Sequence, residues 1–159
     1  MERVDRILAH KDYIEYMKVI EKQEAGRKFC LHGLEHSLDV ARIGYIRSLE
    51  AGYSIKQDVI YAMALLHDIG RCEEYASGKS HHEAGAMLAD PILLACGYNE
   101  EERKAICDAI SCHKAPSGKE KILSSLLYEA DKLSRNCFAC VSNEQCYWPK
   151  EKKNQTIRY

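Results

Sequence analysis

The chain has 159 residues, enough for one domain around one buried core, and its 46% hydrophobic and 30% charged residues are ordinary for a soluble protein. Its 23 Lys and Arg nearly balance 24 Asp and Glu, for a formal net charge of -1, so bulk charge offers nothing to a phosphate backbone and nucleic acid is not an expected partner. Met1-Glu2-Arg3-Val4-Asp5 is charged where a signal peptide is basic and then apolar, and no apolar run approaches the ~20 residues that span a bilayer; a cytoplasmic location with no membrane partner is expected. Eight cysteines in that compartment are expected as reduced thiols or metal ligands, not disulfides.

In chain order, Val4, Ile7, Leu8, Ile14, Met17 and Ile20 recur at helical spacing and predict a first amphipathic helix, broken by Gly26 and the stretch to Leu31. A second helix is expected from about Glu35 to Glu50, with Leu34, Leu38, Ala41 and Tyr45 on one face and His36 in its first turn. Ser54-Ile55-Lys56-Gln57 reads as a capping box opening a helix through Val59, Met63 and Leu66, which delivers His67 and Asp68 at its end before Gly70 lets the chain turn away. Ser80-His81-His82-Glu83 reads as a second capping box and puts both histidines in a first helical turn. Adjacent helical residues point about 100° apart, so the two are not expected to ligate one site. Asp90-Pro91 is expected to end that helix and start a short one closed by Gly97. Asn99-Glu100-Glu101-Glu102 begins the next, carrying Ile106 and Ile110 toward His113. Ser117-Gly118-Lys119-Glu120 is expected to cap a last helix through Leu123, Leu126, Leu127 and Ala130 to Asp131. With no alternating strand pattern before the final residues, the expected fold class is all-α. Residues 1–135 form the main domain, and 136–159, with Cys137, Cys140, Cys146, Trp148-Pro149 and a basic run, form an extension packed on it.

The chemistry lies in the order His36, His67-Asp68, Asp131. Imidazole nitrogen and carboxylate oxygen together suit Mn, Fe, Co, Ni or Zn, and a carboxylate directly after a histidine can bridge two ions if further ligands are near. His81, His82 and His113 are the candidates for that further set.

Gly33-Leu34-Glu35-His36-Ser37-Leu38-Asp39-Val40-Ala41, Ala62-Met63-Ala64-Leu65-Leu66-His67-Asp68-Ile69-Gly70 and Leu127-Tyr128-Glu129-Ala130-Asp131-Lys132-Leu133 closely resemble the HD-domain metal-dependent phosphohydrolase superfamily. The resemblance covers about His32 to Arg135. It implies a helical bundle with metal ligands converging from helix ends, and makes His36, His67, Asp68 and Asp131 the ligands of one ion. His81-His82-Glu83-Ala84-Gly85-Ala86 looks like the family's His-x-x-x-Gly-Ala element and selects His81, leaving His82 as a surface or supporting residue. Ala109-Ile110-Ser111-Cys112-His113 resembles its Ala-Ile-x-x-His element and selects His113. A dinuclear site of divalent transition metals follows, with Asp68 bridging. Such a pair lowers the pKa of a shared water and polarises a phosphoryl oxygen, which implies hydrolysis of phosphate esters or anhydrides, with a nucleotide or other small phosphorylated compound as substrate. Asp68 could also move protons at the leaving group. Arg71, Lys79, Lys114 and Arg135 are candidate cations for phosphate charge, with Arg71 and Lys114 preferred because they flank ligands. A di-iron HD-type oxygenase and a non-catalytic nucleotide-binding regulatory module remain alternatives.

Cys137-x-x-Cys140-x5-Cys146 is a candidate second centre, structural zinc or iron–sulfur, because a two-residue gap lets two thiolates grip one ion. The spacing resembles the last three ligands of the iron–sulfur loop in some DNA glycosylases, whose upstream ligand falls on Ala130 here. Cys112 is the preferred fourth ligand, ahead of Cys30, Cys72 and Cys107; ordinary reduced thiols are the alternative.

Overall fold

The computed structural model describes residues 1–112 and 122–159, and these are helical with no strand among them. The helices are α1 (Glu2–Leu8), α2 (Lys11–Glu24), α3 (Leu34–Glu50), α4 (Gln57–Leu66), α5 (Arg71–Ser77), α6 (His81–Ala95), α7 (Glu100–Cys112) and α8 (Ile122–Leu133). Short 3-10 turns follow at Cys137–Ala139 and Lys150–Lys152.

The centre of the bundle is α4, which is apolar nearly all round. Val59, Ile60, Ala62, Met63, Ala64, Leu65 and Leu66 are all buried, and a helix of that kind must be enclosed by others. α3, α7 and α8 pack on it, and α6 packs on α7. Ile92, Leu93, Ile106, Ile110 and Leu127 fill the space between them. The end of α4 is therefore enclosed, and the buried His67 and Asp68 follow it directly.

Four local expectations are corrected. The first amphipathic stripe is two helices, because His10 adopts an extended backbone and its side chain accepts from Asp12 N, capping α2 afresh. α4 starts at Gln57 after an extended Lys56, and Ser54 is not its cap. Ile55 packs on the core, while Arg3 holds Asp58 at 2.8 Å and Glu102 holds Lys56 at 2.8 Å, which fixes the start later. Ser80 does precede α6, but its side chain makes no capping bond. α6 also runs straight through Pro91: the hydrogen bond that Pro91 cannot donate would go to Met87, on a turn whose side chain is 77% exposed, while buried Ile92 and Leu93 hold the helix beyond it. The capping box of Asn99 and Glu102 forms reciprocally, at 2.9 and 3.1 Å. The expected cap at 117–120 lies outside the described residues.

Gly70 does not serve as a left-handed turn, since its φ is -65°. Its importance is close approach: a Cβ there would lie 2.1 Å from His81 O and 2.4 Å from Gly85 N. The missing side chain lets the start of α6 touch the backbone just past Asp68.

The segment 136–159 is docked on the bundle. Asn154 Nδ2 donates toward the carbonyls of Lys132 and Arg135, each at 2.8 Å, satisfying exposed carbonyls at the end of α8. Ser142 Oγ donates to Lys28 O at 3.0 Å, and Phe29 meets Tyr147 edge-on with ring centres 5.8 Å apart.

Candidate metal centre

The ends of α4 and α8 and the starts of α3 and α6 meet in one buried spot. Among the described residues, His36, His67 and Asp68 have ligand atoms all within 4.8 Å of one another. Asp131 belongs beside them, its Oδ1 3.4 Å from His36 Nε2. Asp68 divides the neighbourhood between its two oxygens. Oδ2 lies 3.0 Å from His67 Nε2 and 3.6 Å from His36 Nε2, whereas Oδ1 lies 3.8 Å from His81 Nε2.

The outer hydrogen bonds explain why each ring turns Nε2 inward. His67 Nδ1 is 2.7 Å from Ala64 O, and a carbonyl can only accept, so Nδ1 carries the proton. His81 Nδ1 is 2.8 Å from Glu74 Oε1, which accepts in the same way. Ser134 Oγ spends its one proton on Asp131 O at 2.8 Å and so accepts from His36 Nδ1 at 3.3 Å. In its neutral form each imidazole then presents an Nε2 lone pair toward Asp68, the arrangement that orients metal-binding histidines. His36 Nε2 is buried and makes no hydrogen bond. A divalent cation would satisfy that atom and stand between the two carboxylates, so the donor set fits a transition metal.

Electrostatics point the same way. Burial pushes the His36 imidazole down, but the Asp131 and Asp68 carboxylates outweigh it and raise it to about 9. Burial pushes both carboxyls up, yet they stay ionised well below the usual range. For Asp68 the nearby His67, His36 and Arg71 hold it there; for Asp131 it is His36, Arg135 and Lys132. The pocket thus holds two carboxylates that demand positive charge at its centre.

The cations are already engaged. Arg71 Nε donates to Asp68 Oδ1 at 2.8 Å, Arg135 to Asp131 Oδ1 at 3.0 Å and Lys132 Nζ to Asp131 Oδ2 at 2.5 Å. His82 is buried, with its ring centre 3.8 Å from that of His81, so it is no surface residue. His113 and Lys114 lie outside the described residues. His32 precedes α3 and is buried edge-on to His36. It is tied to Glu24, whose carboxylate takes its Nδ1 at 2.6 Å and its backbone N at 2.8 Å; burial opposes ionisation of Glu24, but those bonds and the Tyr75 hydroxyl lower it to about 2. Glu74, Ser134 and Lys132 escaped sequence reasoning. Ser134 follows Asp131 by three positions and could have been read as a helical neighbour, but nothing in the spacing marks Glu74.

Beside His36 opens a cleft of about 840 Å³, walled by the end of α2, the 27–31 segment, the start of α3 and the extension.

The helical arrangement and the His/Asp cluster at its helix ends accord with the family match: the chain belongs to the HD domain family, whose model matches residues 33–136. It is 42% identical to an uncharacterized protein of Clostridium beijerinckii over 159 residues, covering the whole of both chains. It is also similar to Ribonuclease Y of Geobacter sulfurreducens, 30% identical over 125 residues, and of Mycoplasma mycoides, 29% over 116. Those matches take in 79% and 64% of this chain but 22% of each relative, so the chain spans about a fifth of their length. Among solved structures, a predicted HD superfamily hydrolase from an uncultured Thermotogales bacterium shares the fold, with a TM-score of 0.62 and 24% identity over 88% of this chain and 80% of that one. No helix among the described residues is long and apolar enough to cross a membrane.

Proposed function

We propose that the protein is a metal-dependent hydrolase of phosphate esters or anhydrides acting on a nucleotide or another small phosphorylated compound. The observation that carries this is the common inward orientation of the His36, His67 and His81 Nε2 atoms about the two oxygens of Asp68. Divalent transition metal bound there supplies an activated water near neutral pH and a Lewis acid for a phosphoryl oxygen. His36, His67, Asp68 and Asp131 hold the first ion. His81, on the other oxygen of Asp68, supports a second, with His113 as its further ligand. Arg71 and Arg135 neutralise the two aspartates and stand where substrate phosphate charge would arrive. Similarity to Ribonuclease Y favours an RNA phosphodiester as the second reading.

The test strips the full chain of metal with a chelator and reloads it separately with Mn, Fe, Co, Ni or Zn. Phosphate release is then measured from mononucleotides, dinucleoside polyphosphates, phosphodiesters and a short RNA. Metal-restored hydrolysis of a small substrate supports the proposal, and cleavage of the RNA alone replaces it with the second reading. Metal binding with no hydrolysis, or oxygen uptake in its place, refutes it.

A further inference from the structure

The metal centre leaves the cysteines of the extension unused, and their arrangement is regular. Backbone bonds run from Cys140 N to Cys137 O at 3.2 Å, from Asn143 N to Cys140 O at 3.1 Å and from Cys146 N to Asn143 O at 3.3 Å. Three-residue turns of this kind bring side chains at i and i+3 onto one side. Cys137, Cys140, Asn143 and Cys146 accordingly all line the 840 Å³ cleft. Facing them from the 27–31 segment is Cys30, which lines the same cleft.

Cys112, the fourth ligand expected from sequence, ends α7 beside Ser111 and is not a cleft residue. Cys30, by contrast, sits in a segment tied to the extension through its neighbours: Ser142 bonds Lys28 O and Phe29 meets Tyr147, while Arg27 Nε donates to Cys30 O at 3.0 Å within the segment itself.

We propose that Cys30, Cys137, Cys140 and Cys146 are the four thiolate ligands of an iron–sulfur cluster that pins the extension to the 27–31 segment. Size distinguishes a cluster from a lone zinc ion. Zinc draws each sulfur to about 2.3 Å, which leaves the sulfurs within about 4 Å of one another. Among the described residues no three cysteine sulfurs are gathered even within 4.8 Å. The four cysteines line one cleft without being gathered that closely, and a cluster bridges a wider gap than a single ion because its own irons and sulfides stand between the protein ligands. Assembly takes inorganic sulfide and a mixture of ferrous and ferric iron from solution, so that no electron is gained or lost by sulfur, and each thiol gives its proton to water as its sulfur bonds iron.

The test uses the full chain purified without oxygen and, separately, incubated with iron and sulfide. Iron, zinc and acid-labile sulfide are measured per chain in the natural sequence and in Cys30→Ser, Cys140→Ser and Cys112→Ser. Sulfide decides, because the His/Asp centre can itself hold iron. Sulfide and a broad visible absorption band are expected in the natural protein and in Cys112→Ser. Both should be mostly lost in Cys30→Ser and Cys140→Ser, with the metal held by His36, His67 and Asp68 retained. Zinc without sulfide, no sulfide after incubation, or loss in Cys112→Ser with retention in Cys30→Ser overturns the proposal. Cys140 is exposed, so its variant keeps the test decisive if Cys30→Ser fails to fold.

Discussion

Gly70→Ala tests whether close backbone contact, and not chain flexibility, builds the metal centre. The added methyl carbon would sit 2.1 Å from His81 O, 2.4 Å from Gly85 N and 2.8 Å from Gly85 Cα. All three are backbone atoms, so no side chain can swing aside, and the start of α6 must retreat by roughly 1.5 Å to reach ordinary contact. Overpacking of this kind costs about 3 kcal/mol, which for a domain of this size lowers Tm by about 10 °C. The same retreat carries His81 Nε2 away from Asp68 Oδ1, now 3.8 Å distant. Melting by circular dichroism and bound metal per chain should therefore fall together. Gly26→Ala is the comparison: nothing lies within 4 Å of its Cβ position, and its effect should be neutral or a gain of about 0.5 kcal/mol. A Gly70→Ala protein that melts within ~2 °C of the natural one and keeps its metal would refute the reasoning.

Asp68→Ala should abolish hydrolysis and weaken metal binding by more than about 100-fold, since it removes the carboxylate shared by three imidazoles and strands Arg71; a folded variant that still turns over would contradict the assignment. His81→Ala should lower metal content, whereas His82→Ala, which removes a buried ring off the Asp68 contact set described above, should mainly lower Tm; the reverse pattern in metal analysis would show the wrong histidine was chosen. Away from the site, the Arg3 guanidinium holds Glu102 near a pKa of about 2, against a usual 4.5. A depressed folded pKa stabilises above the unfolded value and loses that contribution as pH falls toward the folded one. Glu102→Gln should thus cost about 1–2 kcal/mol at pH 7, after discounting for its surface setting. The gap between the two proteins should close between about pH 4.5 and 2, and a Tm difference unchanged across that range would disprove the linkage.

The positions of His36, His67, Asp68, His81 and Asp131 at helix ends were legible because apolar periodicity and the family motifs mark where α3, α4, α6 and α8 begin or stop. What holds those side chains was not. Glu74 reaches His81 across a turn between two helices, and no fixed spacing encodes that contact. Gly70 read as a turn residue because sequence shows the absence of a side chain but not which backbone fills the space. Pro91 read as a terminator because its missing donor is visible, whereas the buried Ile92 and Leu93 that carry α6 past it act only through tertiary packing. Sequence favours Cys112 over Cys30 on closeness to a candidate ligand, whereas the nearness of Cys30 to the cleft that Cys137, Cys140 and Cys146 also line is created by tertiary packing alone.

Trp148 lies against Arg135, with the guanidinium carbon 4.8 Å from its ring centre, and Arg135 in turn holds Asp131. The indole acts as a dielectric shutter: by covering the outer face of the guanidinium it keeps water from competing for the charge, and the pair with Asp131 attracts more strongly than a hydrated pair would. An aromatic side chain of the extension thus bears on the charge at the candidate metal centre through Arg135, and loosening the extension is expected to change how strongly the centre attracts a cation without altering His36, His67, Asp68 or Asp131.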